Sequence, residues 1–190
     1  MNLAMPVLET ERLRVRGFEL DDLDVCHQLL DHEAWQTGES RDGRRRWLEW
    51  SVLNYRALAV LAQPPYGDRA VVLRTTGEIV GAVGLVPIIG PLARLPSYGG
   101  QAEAEDCQPE FGLFWATRTA HQNQGYATEA ARALIAYAFG ELRLRRIVAT
   151  TDYDNVRSQA VMRRLGMRLE RNPRPEPVWF QIVGVLDRAG

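Results

Sequence analysis

Residues 121–130, HQNQGYATEA, lie between two apolar runs of different period. Before them PEFGLFWA (109–116) is short and aromatic, the pattern of a strand. After them AARALIAYAF (130–139) is long and alanine-rich, the pattern of a helix. A strand-to-helix junction made of a glycine, an alanine and several amide side chains has two uses. It turns the chain, and it leaves the first N–H groups of the helix free to hold an anion. Gly125 and Ala127 stand two apart at the helix start. Glycine lets a ligand come close to the main chain, and the helix end carries about half a positive charge. On spacing alone the simple turn and the anion cradle are evenly matched, because short glycine motifs recur by chance.

Working outward, ERLRVRG (11–17) alternates as a half-exposed strand, with Leu13 and Val15 opposite Arg12, Arg14 and Arg16. ELDDLDVCHQLL (19–30) reads as a short helix with Asp21 as N-cap and Leu23, Leu29 and Leu30 in the core. A longer helix over about 44–61 carries Trp47, Trp50, Leu53 and Leu58, and QPPYGD (63–68) stops it. AVVLR (70–74) and EIVGAVGLVP (78–87) are strands joined by TTG. Residues 88–108, rich in Gly, Pro and polar side chains, read as an extended flexible insertion, longer than most connections. Beyond the junction come a strand RRIVATT (145–151), a helix VRSQAVMRRL (156–165) stopped by Gly166, and strands MRLE (167–170) and PVWFQIVGVL (177–186). The order β-α-α-β-β-β-α-β-α-β-β describes an α/β chain with a mixed sheet and helices on its faces. One domain over 1–190 suffices.

Composition narrows the chemistry. At 190 residues, folding removes roughly 70% of the unfolded surface, so the core needs no staple. The net charge of −1 predicts no general attraction to nucleic acid. All 23 basic residues are arginine, which excludes a Schiff-base lysine and a P-loop lysine. Cys26 and Cys107 have no paired spacing and the three histidines are scattered, so no metal site and no disulfide framework is expected. No stretch reaches the ~20 apolar residues of a membrane span. A cytoplasmic protein is the expectation, with no membrane partner and with the oligomeric state open between monomer and homodimer.

A dinucleotide-binding junction would need Gly-x-Gly-x-x-Gly, and the later glycines are missing here. Gln122-x-x-Gly125-x-Ala127, after a strand and before an alanine-rich helix, instead resembles the acetyl-CoA loop of the GNAT superfamily of N-acetyltransferases. LETERLRVR (8–16), GEIVGAVGL (77–85) and DNVRSQAVMRRLGM (154–167) resemble the RimJ/RimL-type ribosomal-protein N-terminal acetyltransferases. The likeness spans nearly the whole chain; the long insertion before Glu110 departs from the common pattern.

The resemblance implies a GNAT-like twisted, mostly antiparallel sheet with helices on both faces. It implies that the main chain of Gln122, Asn123, Gln124, Gly125, Tyr126 and Ala127 binds the CoA pyrophosphate, with Tyr126 packed beside the cofactor. The strands Glu110–Trp115 and Arg146–Thr151 would splay to admit the pantetheine arm. Asn155 would hydrogen-bond that arm, Ser158 would protonate the departing thiolate, and Glu110 would deprotonate the amine. Each has a plainer alternative: Asn155 and Ser158 suit a helix cap and first turn, and Glu110 suits a solvated strand end.

Arg44–Arg46 reads better as a solvated helix face than as a site for an acidic acceptor. Trp35, Trp47 and Trp50 read better as core than as walls of an acceptor pocket. Cys26 beside His27 makes no catalytic pair, since adjacent helical side chains diverge by about 100°. The function implied is acetyl transfer from acetyl-CoA to a primary amine, of a protein N-terminus or a small molecule, by direct attack in a ternary complex and without a metal. The alternative is a non-catalytic acyl-CoA-binding module acting through a protein partner.

Overall fold

Leu13 and Val15 are fully buried while Arg12 and Arg14 lie in solvent, so the alternation in ERLRVRG becomes the two faces of a strand. In the computed structural model, which describes residues 5–189, that strand is β2 (Leu13–Gly17), preceded by a short β1 (Leu8–Glu9). There follow α1 (Leu23–His27), a π-helical turn over Gln28–Ala34, α2 (Arg41–Val60), β3 (Gly67–Leu73), β4 (Ile79–Gly90) and β5 (Gln108–Thr117). Then come α3 (Tyr126–Gly140), β6 (Arg146–Thr151), α4 (Val156–Arg164), β7 (Arg168–Arg171) and β8 (Ile182–Asp187). The strands form one sheet in the order β1-β2-β3-β4-β5-β6-β8-β7. β5 and β6 are parallel, whereas β1/β2, β2/β3, β3/β4, β6/β8 and β7/β8 are antiparallel. This is the mixed, mostly antiparallel α/β fold expected, with β1 as an addition. No helix among the described residues is long and apolar enough to cross a membrane.

By internal contacts the chain divides into two compact units. The first holds the described residues through Leu85 together with Trp115–Tyr137. Here α2 meets β2 and β3 through Tyr55. An added Cβ at Gly17 or Gly67 would stand 3.0 or 3.2 Å from that ring, so the two glycines let the helix sit close to the strands. The Tyr55 hydroxyl donates to the Asp68 carbonyl and accepts the Phe18 N–H at 3.2 Å. Ser40 caps α2, its Oγ accepting the Gly43 N–H at 3.0 Å, and the helix ends ahead of Pro64. Gly81 of β4 faces β5 so closely that a Cβ there would collide with the Ala116 carbonyl oxygen.

Four expectations are corrected in this unit. Arg45 and Arg46 are exposed, but Arg44 is buried in a bidentate pair with Asp31, Nε to Oδ2 at 2.8 Å and Nη2 to Oδ1 at 2.5 Å. A buried guanidinium needs such a partner, and helical periodicity does not reveal one 13 residues away. Trp35 and Trp50 are about half exposed rather than core, and Trp47 is partly buried edge-on to Phe18 at 5.9 Å. Asp21 is not a cap; Asp22 instead accepts the Glu19 N–H at 2.8 Å and binds Arg16.

The second unit comprises Val86–Phe114 and the chain from Ala138 onward. Its core gathers Leu92, Leu95, Val148, Phe180, Val183 and Val185, with Ile88 and Tyr98 against it. The segment read as an insertion thus begins as the end of β4 and continues through two single 3-10 turns, Leu92–Arg94 and Pro96–Tyr98. β6 pairs along six residues with β8 but with β5 at one position, Gly112 opposite Val148.

Candidate active site

After β5 the chain makes a 3-10 turn, Thr119–His121, and then reverses through two residues of positive φ, Asn123 at 61° and Gly125 at 83°. Positive φ is accessible to glycine at little cost and to asparagine more readily than to most residues. The first helical bond of α3 runs from the Glu129 N–H to the Gly125 carbonyl at 3.0 Å. Among the described residues, the N–H groups from Asn123 to Thr128 have no hydrogen-bond partner. Asn123, Gln124 and Gly125 are solvent-exposed, and Tyr126 and Ala127 partly so. Unpaired amides at an open helix start make a cradle for an anion.

The loop is braced from both sides. Arg12 of β2 donates from Nε to Glu129 Oε2 at 2.7 Å and from Nη1 to the Gln124 carbonyl at 3.0 Å, and lies 4.6 Å above the Tyr126 ring. Glu129 also accepts the Thr10 hydroxyl at 2.6 Å and the Arg12 main-chain N–H at 3.0 Å. Partial burial alone would raise the Glu129 carboxyl's pKa, but these bonds outweigh it and hold the group below its ordinary value. At the loop entrance the Thr119 N–H donates to Glu33 at 2.6 Å, while Arg118 and His121 both reach Glu78 at 3.1 Å. The Arg118 N–H is tied to the Val80 carbonyl at 2.9 Å. Gln122 directs its amide toward the Thr117 carbonyl at 3.5 Å, and Gln124 toward the Ala120 carbonyl at 3.3 Å.

The other expected residues belong to the second unit. Asn155 is the N-cap of α4, its Oδ1 accepting the Ser158 N–H at 3.0 Å, and its own N–H donates to Asp152 at 2.7 Å. The capping role read for Asn155 beside the cofactor-binding one is therefore real, and it leaves the Asn155 Nδ2 outside the cap. The Ser158 side chain is partly buried, and its Oγ has no hydrogen-bond partner among the described residues. Glu110 is partly buried on β5 and accepts the Tyr98 hydroxyl at 2.9 Å. Burial raises the Tyr98 phenol above its ordinary value, and the bond to Glu110 adds to that, so Tyr98 is a donor throughout the neutral range. At Gly112 a Cβ would meet Ile88 at 3.4 Å, so this glycine accommodates β4 in addition to leaving the strand face bare.

A family profile described as acetyltransferase (GNAT) domain matches residues 12–168. The chain belongs to the GNAT acetyltransferase family. It is 26% identical over 167 residues to the uncharacterized N-acetyltransferase YnaD of Bacillus subtilis, covering 86% of this chain and 83% of that one. An acetyltransferase of Agrobacterium tumefaciens superposes with a TM-score of 0.65 at 27% identity, over 98% of this chain and 96% of that one. RimL, a ribosomal alpha-N-protein acetyltransferase solved in complex with coenzyme A, superposes with a TM-score of 0.63 at 18% identity, over 95% and 96% of the two chains. At that identity the likeness to RimL is one of fold.

Acetyl transfer from acetyl-CoA is the chemistry of this family, and the residues present fit the donor. A diphosphate needs several N–H donors on an open surface, and the GNAT chain offers unpaired ones from Asn123 to Ala127, exposed or partly so, without a lysine. Sequence reasoning did not find the Arg12–Glu129 brace or the Tyr98–Glu110 bond. The acid in TEA, three residues into α3, was the available hint for the first, since carboxylates favour a helix start.

Proposed function

We propose that this GNAT chain is an acetyl-CoA-dependent N-acetyltransferase of the RimJ/RimL type, acting on a primary amine by direct attack in a ternary complex. The observation that carries the reading is the run of unpaired main-chain N–H groups from Asn123 to Thr128 at the start of α3. In this reading Gln122, Asn123, Gln124, Gly125, Tyr126 and Ala127 hold the pyrophosphate. The Asn155 Nδ2, outside the cap, serves a carbonyl of the pantetheine arm. The single pairing of β5 with β6 favours the same arm lying along strand backbone, because amide groups of the arm satisfy main-chain groups that burial would otherwise penalise.

The chemistry needs a neutral amine, a fixed thioester and a proton for the thiolate. Ser158, with an unengaged hydroxyl, donates that proton. Glu110, with Tyr98 on one oxygen, keeps the other for the amine or a water beside it. Holding the reactants contributes an effective molarity of roughly 10⁵–10⁸ M, against about 10²–10⁴-fold from one acid or base, so the cradle matters more than either side chain. The acceptor is a primary amine of a protein N-terminus or a small molecule; RimL's own description favours the first. Two free cysteines accord with a reducing cytoplasm.

The test is thiol release from acetyl-CoA across a panel of peptides with free or blocked N-termini and small primary amines. Release that requires a free amine supports the proposal. Tight CoA binding without turnover on any acceptor would replace it with an acyl-CoA-binding module.

A further inference from the structure

His27 and His32 are five residues apart, and in an α-helix their side chains would point about 140° away from each other. Here they touch. The helix after α1 widens into a π-helical turn over Gln28–Ala34, closed by the Trp35 N–H on the Leu30 carbonyl at 3.2 Å, an i to i+5 bond. With about 4.4 residues per turn, that geometry returns position i+5 to the side of position i. The two Nε2 atoms stand 3.3 Å apart, with the rings edge-on at 4.7 Å. π-turns are rare and frequently mark functional positions.

We propose that His27 and His32 form a two-histidine site for a late first-row divalent cation of the zinc type. Two imidazole nitrogens on a tetrahedral ion, each at about 2.0–2.1 Å, lie about 3.3–3.4 Å apart, which the pair already matches. The outer partner is also in place. His27 Nδ1 donates to Asp31 Oδ2 at 2.9 Å, which fixes the tautomer and turns the Nε2 lone pair toward His32. Asp31 is itself held by Arg44, by the Thr37 hydroxyl and by full burial, so the ring it orients is anchored to the core. His32 is exposed and His27 partly so, leaving water to complete the coordination. Among the described residues no cluster of three or more His, Cys, Asp and Glu side chains forms a metal centre, so this ion would clip the π-turn with two protein ligands. Asp24, bound to Arg41 at 2.7 Å, is a further nearby carboxylate.

The experiment titrates Zn²⁺ into the untagged, chelator-treated chain by calorimetry, with Co²⁺ absorption as a second readout. One equivalent should bind, and Zn²⁺ should raise the melting temperature. His32→Ala and His27→Gln should each weaken binding at least about ten-fold, and Cys107→Ser should leave it unchanged. Because His32 is exposed, its variant should melt like the parent in chelator. No binding by the parent chain, parental affinity in either histidine variant, or loss with Cys107→Ser would overturn the assignment and leave an imidazole–imidazole hydrogen bond.

Discussion

Arg12 and Glu129, 117 residues apart in sequence, are joined by a two-pronged ion pair, with Nε and Nη2 of the guanidinium at 2.7 and 2.6 Å from one carboxylate oxygen. The same guanidinium holds the Gln124 carbonyl, so one side chain links β2, the loop and the first turn of α3. Arg12→Ala should cost about 1 kcal/mol of stability, as partly exposed charge-assisted pairs do. It should weaken CoA binding by roughly ten-fold, about 1.4 kcal/mol. Calorimetry with CoA beside a thermal melt measures both; unchanged affinity would remove the brace from the binding argument.

Gly125 has a φ of 83°, and a Cβ there would point at Arg12 Nη2 from 3.5 Å. A β-branched side chain is strained at that φ and would crowd the exposed amides. Gly125→Val should abolish measurable CoA binding while the circular dichroism spectrum stays close to that of the parent. Retained affinity would contradict the cradle.

Ser158→Ala removes a hydroxyl but keeps the main-chain N–H that Asn155 caps. Turnover should fall by about 10²-fold or more, with CoA affinity within a few-fold of the parent. Equal losses in steady-state rate and in binding would make Ser158 a positioning group.

Asp68 is buried on β3, and burial pushes its carboxyl up to about 6 from the ordinary 3.8. Because the folded pKa lies above the unfolded one, ionisation opposes folding. The penalty is absent below about pH 4, grows as pH rises through 6 and is constant above that. A shift of this size corresponds to on the order of 3 kcal/mol on the ionised form. Asp68→Asn should therefore stabilise the chain at pH 8, with a gain that vanishes near pH 4 in urea melts at both values.

Asp31 titrates in the opposite sense. Burial would raise its carboxyl, but donors from Arg44, Thr37 and His27 hold it well below the carboxylate range. The stability it contributes is complete above the unfolded value near 3.9 and is lost as pH falls below it. Asp31→Asn should cost roughly 3–5 kcal/mol at pH 7 by leaving Arg44 buried without its counter-charge. A small loss in a chemical denaturation curve would show that Arg44 escapes to water.

Local patterning made most of the element order legible. Alternation exposed β2, the turn TTG exposed the β3–β4 hairpin, and Asn155 and Gly166 marked the two ends of α4. Contacts distant in sequence were not legible. Nothing near Asp31 announces Arg44, and nothing near Glu129 announces Arg12. The 88–108 segment misled because its leucines are few among glycines and prolines, yet Leu92 and Leu95 are fully buried. In the candidate site, the glycine loop showed in the sequence because it is a local motif. The partners of Glu110 and Glu129 did not, because each arrives from another element.

The tight approach at Gly81 carries a lesson for protein engineering. By admitting the Ala116 carbonyl and keeping Val80 beside Arg118, it sets the point from which the chain departs toward Gly125. A library that diversifies position 81 should lose its working clones even though that glycine is buried and lies outside the loop from Gln122 to Ala127.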